Sequence, residues 1–186
     1  MDGFVMNSTT KIALAGLMTL GAPSAAGAST QGSLGTTSTG SVTINASVPA
    51  RVRISGLTDV NLTNVDPSLN ASVAQNVCVW SNTATHGYQV TATGSGAANA
   101  FTLANGVLPV VPYSVEWANS SGQTSGTALA TGAALTGQTS SATNNNCASG
   151  PAASASLIVK IGSTDLQAMP AATTFTGTLT LLVAPE

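Results

Sequence analysis

The pattern of apolar and polar positions predicts strands from residue 42 onward. Val42, Ile44, Ala46 and Val48 alternate with Thr43, Asn45 and Ser47, a period of two that gives a strand one apolar face. Pro49 ends or bends that strand. Arg51-Val52-Arg53-Ile54 alternates again with its arginines outward, and Gly56 closes it. Further strands are predicted over Val60–Leu62, Ala74–Trp80, Gly87–Thr93, Ala100–Leu103, Pro112–Trp117, Ala128–Leu129, Ser156–Ile161 and Thr174–Val183. Tyr88, Val90 and Ala92 share one face. So do Tyr113, Val115 and Trp117, then Leu157, Val159 and Ile161, then Phe175, Gly177, Leu179 and Leu181. Gly, Asn and Pro mark the joints, as at Gly94-Ser95-Gly96 and Asn144-Asn145-Asn146. Short strands at this spacing predict an all-β sandwich rather than a barrel around a ligand. Residues 118–156 lack bulky side chains and are expected to form a long loop or a pair of small edge strands. Helix signals are confined to single turns at Asp66–Leu69 and Asp165–Ala168.

The first 28 residues follow another logic. Lys11 supplies a positive start, Ile12 to Leu20 an apolar run, and Ala25-Ala26-Gly27-Ala28 small residues suited to cleavage. This order predicts a secretory signal peptide over 1–28, and hence export. Residues 29–41 are almost all Ser, Thr, Gly and Gln, a composition expected to be flexible in the free monomer. The predicted organisation is therefore a signal peptide (1–28), a flexible extension with a candidate strand (29–48), and one sandwich domain (49–186).

Charge changes the picture by its scarcity. The 186 residues include four Lys or Arg, six Asp or Glu and one His, a net charge of -2. Nucleic-acid binding needs clustered cations to neutralise phosphates, so it is not expected. Catalytic material is equally thin. His86 lies in a polar turn with no orienting partner evident, and no Gly-x-Ser-x-Gly elbow exists. Glu116 alternates with Val115 and Trp117 and so points outward. It would need a second carboxylate to cleave a glycoside. Trp80, Tyr113 and Trp117 alternate with apolar neighbours and read as core. No metal or cofactor is expected, and no enzymatic activity. An exposed cluster of those three aromatics would instead favour a secreted module that binds a glycan or host surface.

The extension and the C-terminal strand suggest complementary roles. Leu34, Thr36, Ser38 and Gly40 have the same parity as Val42, Ile44, Ala46 and Val48, so one extended segment can turn all of them into a groove. Phe175, Leu179, Leu181 and Val183 form an apolar face on a long terminal strand. An edge of that kind must be covered, and strand addition from another subunit is one solution. The same alternation also fits a first strand packed within its own closed sandwich. Periodicity does not separate the two.

The order of these features resembles the secreted subunits of chaperone–usher pili, particularly the spore-coat-protein-U-like, archaic and alternative branches. The resemblance rests on Gly40-Ser41-Val42-Thr43-Ile44-Asn45-Ala46-Ser47-Val48, Val77-Cys78-Val79-Trp80, Gly87-Tyr88-Gln89-Val90-Thr91-Ala92, and Phe175-Thr176-Gly177-Thr178-Leu179-Thr180-Leu181-Leu182-Val183. It implies an immunoglobulin-like sandwich that is incomplete and is completed by a donor strand. The implied donor residues are Leu34, Val42, Ile44, Ala46 and Val48, and the implied acceptor edge is Phe175, Leu179, Leu181 and Val183. The implied partners are neighbouring copies or related pilin subunits, a periplasmic chaperone and an outer-membrane usher. The implied destination, reached through the periplasm, is the cell surface or a fimbrium. One departure is that Arg51-Val52-Arg53-Ile54 lacks the cysteine often found early in the first core strand of such subunits.

Cys78 and Cys147 are the chain's two cysteines. Neither belongs to a C-x-x-C, and export favours oxidation, so they are predicted to form one disulfide. Both thiols should resist alkylation in the exported protein unless reductant is added, as read by mass. Replacing the pair with alanine should lower stability by about 2–5 kcal/mol.

Overall fold

The computed structural model describes residues 29–186, so the expected signal peptide lies outside the described residues. The chain divides into two units with the boundary between Ser47 and Val48. In the first, Thr30 and Ser41 exchange backbone hydrogen bonds of 2.9 and 3.0 Å, and their hydroxyls lie 2.7 Å apart. The strand expected over 42–48 is not formed, because this segment has no ladder partner. Alternation supplies a strand's side-chain pattern, whereas pairing requires a second backbone.

The second unit is all-β apart from short helical turns. Its strands are β1 (Val52–Ser55), β2 (Ala71–Ser81), β3 (Gly87–Gly94), β4 (Thr102–Leu103), β5 (Val111–Pro112), β6 (Ser114–Ala118), β7 (Thr127–Ala128), β8 (Ala134–Thr139), β9 (Ala155–Ile161) and β10 (Leu179–Pro185). One helical turn, α1 (Ser163–Gln167), follows β9. The strands form three open antiparallel sheets, ordered β1-β2-β9-β6-β7, β10-β3-β8 and β4-β5. This is the arrangement of an incomplete immunoglobulin-like sandwich.

Strand β9 lies at the centre of the largest sheet, and Ala155–Val159 are all buried. Its run of Leu157, Ile158 and Val159 is what a strand covered on both faces requires. The two larger sheets are joined through Tyr88 of β3 and Trp117 of β6. Their rings meet edge to face at 6.4 Å, and Trp117 Nε1–H donates to Tyr88 Oη at 3.1 Å. That bond satisfies two polar atoms that burial would otherwise leave unpaired. Burial also raises the Tyr88 phenol above its ordinary pKa, with the Trp117 bond opposing the shift.

Buried serines complete the ladders where strands diverge. Strand β2 pairs with β9 over Ala71–Val77 and with β1 over Cys78–Ser81. Beyond its β9 pairing, Val79 N–H donates to Ser154 Oγ at 2.8 Å, and Ser154 Oγ–H donates to Val79 C=O at 2.7 Å. Ser140 Oγ–H donates to the same carbonyl. Ser154, Ser81 and Ser156 are essentially inaccessible, yet each has a backbone partner.

Two further expected elements differ. The apolar alternation at Val60–Leu62 forms no strand, because the chain leaves β2 at Gly56. That residue adopts φ +79°, a left-handed conformation that glycine enters without a Cβ penalty. The strand expected to begin at Thr174 begins at Leu179, and residue 176 makes only an isolated bridge to Ala104. A side chain at Gly177 would come within 2.8 Å of Thr102 C=O, so glycine permits that close approach. Between residues 118 and 156 the chain forms the second of the two expected alternatives, a pair of small edge strands, β7 and β8, each at the end of its sheet.

On the outer face, Lys160 Nζ donates to Glu116 Oε1 at 2.6 Å, and Gly126 N–H donates to Glu116 Oε2 at 2.9 Å. The Lys160 hydrogen bond, followed by that from Gly126, holds the Glu116 carboxyl below its ordinary pKa of 4.5. Its stabilising contribution is therefore complete above pH 4.5 and disappears as pH falls through the lower folded value. Glu116→Gln should cost no more than about 1 kcal/mol at neutral pH. In paired urea titrations that difference should shrink on acidification; a difference that grows below pH 4.5 would contradict this account.

Candidate functional site

The site is built around the edge of β10. This strand is the end member of its sheet and pairs only with β3. Thr176 exchanges backbone hydrogen bonds with Ala104, Thr178 N–H donates to Ser95 Oγ, and Glu186 N–H donates to Gly87 C=O. These even-numbered residues all face the β3–β4 side. In an extended strand the next residues point the other way. Gly177, Leu179, Leu181 and Val183 therefore turn their N–H and C=O groups to an edge that carries no strand among the described residues.

The same residues turn apolar side chains toward the core without completing it. Leu179, Leu181 and Val183 are half-buried, as is Phe175. Beside them lies a cleft of about 1420 Å³. Leu157, Val159 and Ile161 of β9 line it, with Leu103, Tyr113, Leu166 and Met169. Phe175, Leu179 and Leu181 line it as well.

The segment diverted by Gly56 lines the cleft too. Leu57, Val60, Leu62 and Val65 contribute apolar side chains to it. Thr58 anchors the segment: its N–H and hydroxyl both donate to Gln75 Oε1 at 2.9 Å. Gln75 Nε2–H returns a bond to Thr58 C=O at 3.1 Å. Small-molecule pockets hold roughly 300–1,000 Å³. A larger trough, lined by apolar side chains together with polar ones such as Asp59, Asn61 and Thr63 and bordered by an unpaired strand edge, has the form an extended peptide can occupy, since a strand brings backbone partners and alternating side chains together.

Of the expected acceptor residues, Phe175, Leu179 and Leu181 line the cleft, while Val183 packs against the core. The expected donor residues Leu34, Val42, Ile44 and Val48 are exposed by 107, 74, 86 and 80 %, and Ala46 is exposed as well. The lining contributed by residues 57–65 was not anticipated as part of a site. Its alternation was visible, but its divergence from the sheet depends on the backbone at Gly56.

The other candidates do not converge. His86 occupies a turn at φ +54°, with Nδ1 3.0 Å from Ser81 C=O. Glu116 is engaged by Lys160. Among the described residues there is no group of three or more His, Cys, Asp or Glu able to hold a metal. Nor is any described helix long and apolar enough to cross a membrane. Trp117 and Tyr113 are buried, and Trp80 packs against a small cluster of Cys78, Ala142 and Cys147, so the three aromatics form no shared exposed surface. Cys78 and Cys147 are bonded, with Cα atoms 6.0 Å apart.

Half-burial has a measurable consequence. Leu157, 3 % exposed, and Leu181, half-buried, both line the cleft. Leu157→Ala should cost about 2–5 kcal/mol in the isolated chain, and Leu181→Ala less than about 1.5 kcal/mol. Urea denaturation of the two variants tests this; equal losses would show that the β10 face is already fully packed.

No protein-family model matches the chain, and no curated protein matches it. Among solved structures it is similar to a chain from work on a chaperone–tip adhesin complex described as vital for synergistic activation of CFA/I fimbriae biogenesis. The two are 15 % identical with a TM-score of 0.46, and the match covers 74 % of this chain and 41 % of that one.

Proposed function

We propose that this chain is a structural, non-catalytic subunit of a surface fimbria or pilus, assembled by donor-strand exchange. Residues 33–48 of one copy, or of a related subunit, fill the cleft of the next. A periplasmic chaperone covers the cleft before assembly, and an outer-membrane usher passes the subunit to the cell surface. The observation that carries this reading is the open edge of β10 beside a large cleft with many apolar side chains in its lining.

The segment supplies what the edge lacks. Its backbone can pair with the N–H and C=O groups of Leu179, Leu181 and Val183. Val42, Ile44, Ala46 and Val48 can enter the cleft at the alternate spacing of a strand. Burying a side chain of Val or Ile size contributes roughly 1.5–3 kcal/mol before ordering costs. Register follows from parity, since a slip of one residue would turn Thr43, Asn45 and Ser47 inward.

Two neighbouring substitutions test the reading. Ile44→Asp would bury an unpaired carboxylate at a cost of several kcal/mol and should abolish polymer formation. Asn45→Asp points outward and should leave polymerisation nearly unchanged. Both are scored by polymer size. If the unmodified protein forms no polymer and Ile44→Asp unfolds the isolated monomer, residues 42–48 are an internal strand and the chain is a closed secreted domain.

A further inference from the structure

Within residues 29–186, Asn45, Asn61, Asn70 and Asn119 each open an Asn-x-Ser or Asn-x-Thr sequence, the acceptor pattern for an N-linked glycan on an exported chain. They differ in what precedes them. Two residues before the asparagine stand Thr43, Asp59, Ser68 and Trp117 respectively. Asp59-Val60-Asn61-Leu62-Thr63 is therefore the one of these sequences with an acid at that position.

The fold separates them further. Asn70 Oδ1 accepts the Ser163 N–H at 2.8 Å, and Ser72, the hydroxyl residue of that sequence, is fixed in β2 opposite Lys160. The Asn119 sequence follows β6 directly, and its Ser120 C=O accepts from Ser156 Oγ at 3.0 Å. Asp59, Asn61 and Thr63, by contrast, are exposed and belong to no strand. Among the described residues no hydrogen bond engages any of the three.

The local backbone explains this presentation. Gly56 diverts the chain, and Gln75 clamps it at Thr58. Beyond the clamp, Val60, Leu62 and Val65 pack against the core. The alternation sends Asp59, Asn61 and Thr63 the other way, side by side on one outward face. Residues two apart on such a run are about 7 Å from each other, so one enzyme cleft can meet the carboxyl, the amide and the hydroxyl together. Asn61 and Thr63 stand on the rim of the cleft beside β10. They also border a second, open depression of about 330 Å³ with Asp66, Leu69 and Asn70. A sugar on Asn61 therefore has room outside the floor that β9 gives the cleft.

We propose that Asn61 is the acceptor of an N-linked oligosaccharide, and that Asp59 and Thr63 are the residues a transferase reads beside it. The sugar donor is an oligosaccharide carried on a polyprenyl diphosphate. Asn61 Nδ2 attacks the anomeric carbon, the Nδ2–C1 bond forms, and the C1–O bond to the diphosphate breaks. The polyprenyl diphosphate leaves with that electron pair, and a base of the transferase takes the Nδ2 proton. Asp59 offers a carboxylate to a cationic group of the transferase, and Thr63 offers a hydroxyl for a hydrogen bond. Both are specificity residues. The proposal goes beyond the donor-strand reading and does not depend on what fills the cleft.

The test is peptide mass spectrometry of the full chain, exported by the cells that produce it, with occupancy read separately at Asn45, Asn61, Asn70 and Asn119. Asn61 should carry the added oligosaccharide mass, at an occupancy about tenfold or more above the other three. Asp59→Asn should lower that occupancy about tenfold, as loss of one charge-assisted contact implies. Thr63→Val should abolish it, whereas Thr63→Ser should retain it. Asp59 and Thr63 are exposed and unengaged, so an unchanged urea midpoint should show that each variant folds. Ile44→Asp, which addresses polymer formation, should leave the glycan in place, so the two readings fail independently. An Asn61 peptide of unmodified mass in the exported chain would overturn the proposal. So would equal occupancy at Asn45, or mass that persists on residues 57–65 in Asn61→Gln.

Discussion

A strand satisfies its backbone on two edges, and β10 has a strand partner on one. This constraint organises the cleft around it. Leu179, Leu181 and Val183 carry unpaired backbone groups on the outer edge and half-covered side chains on the inner face. Backbone polar groups left without water or protein partners are costly, and an apolar edge left uncovered recruits other chains. One extended peptide answers both demands, because a strand delivers hydrogen bonds along its edge and side chains across its face.

The rest of the sandwich is held without that peptide. Trp117 and Tyr88 join the two large sheets through one hydrogen bond and an edge-to-face contact. Ser154 and Ser140 occupy the backbone groups of Val79, where β9 no longer accompanies β2. The disulfide ties β2 to the loop before β9, in a satellite cluster whose residues do not line the cleft. The stabilising devices and the open groove thus occupy different parts of the domain. This lets an apolar trough persist beside a well-packed core.

Much of this was legible in the sequence where burial imposes a period. Tyr88, Val90 and Ala92 are all fully buried, as the alternation of β3 requires. Leu157, Val159 and Ile161 likewise marked the inner face of β9. The pattern misled where an alternating segment has no partner, as at Val60–Leu62, because periodicity reports side-chain direction and not hydrogen bonding. Strand β8 was hidden for the opposite reason. Its side chains are small and mostly exposed, Gly137 adopts φ +69°, and its pairing with β3 shifts register between Tyr88 and Val90. The buried serines carried no signal either, since Ser is common throughout this chain and only position separates Ser154 from a solvent-facing neighbour.

The scarcity of charge gives the remaining charges unusual weight. In a domain with many exposed ion pairs, two arginines at one end would be lost among competing fields. Here Lys160 is paired with Glu116, Arg51, Arg53, Asp59 and Asp66 are exposed, and Glu186 keeps its charge while accepting the Gly137 N–H. A groove lined by Leu, Val and Ile discriminates poorly between the two directions of an extended peptide, because strand pairing is available in either sense. Apolar burial supplies adhesion without polarity. Charges such as Arg51, Arg53 and Asp66 can act on a partner at little cost in desolvation, since they are already exposed. The division follows from the physics of each term: burial scales with area and lacks direction, whereas charge pairs carry a sign.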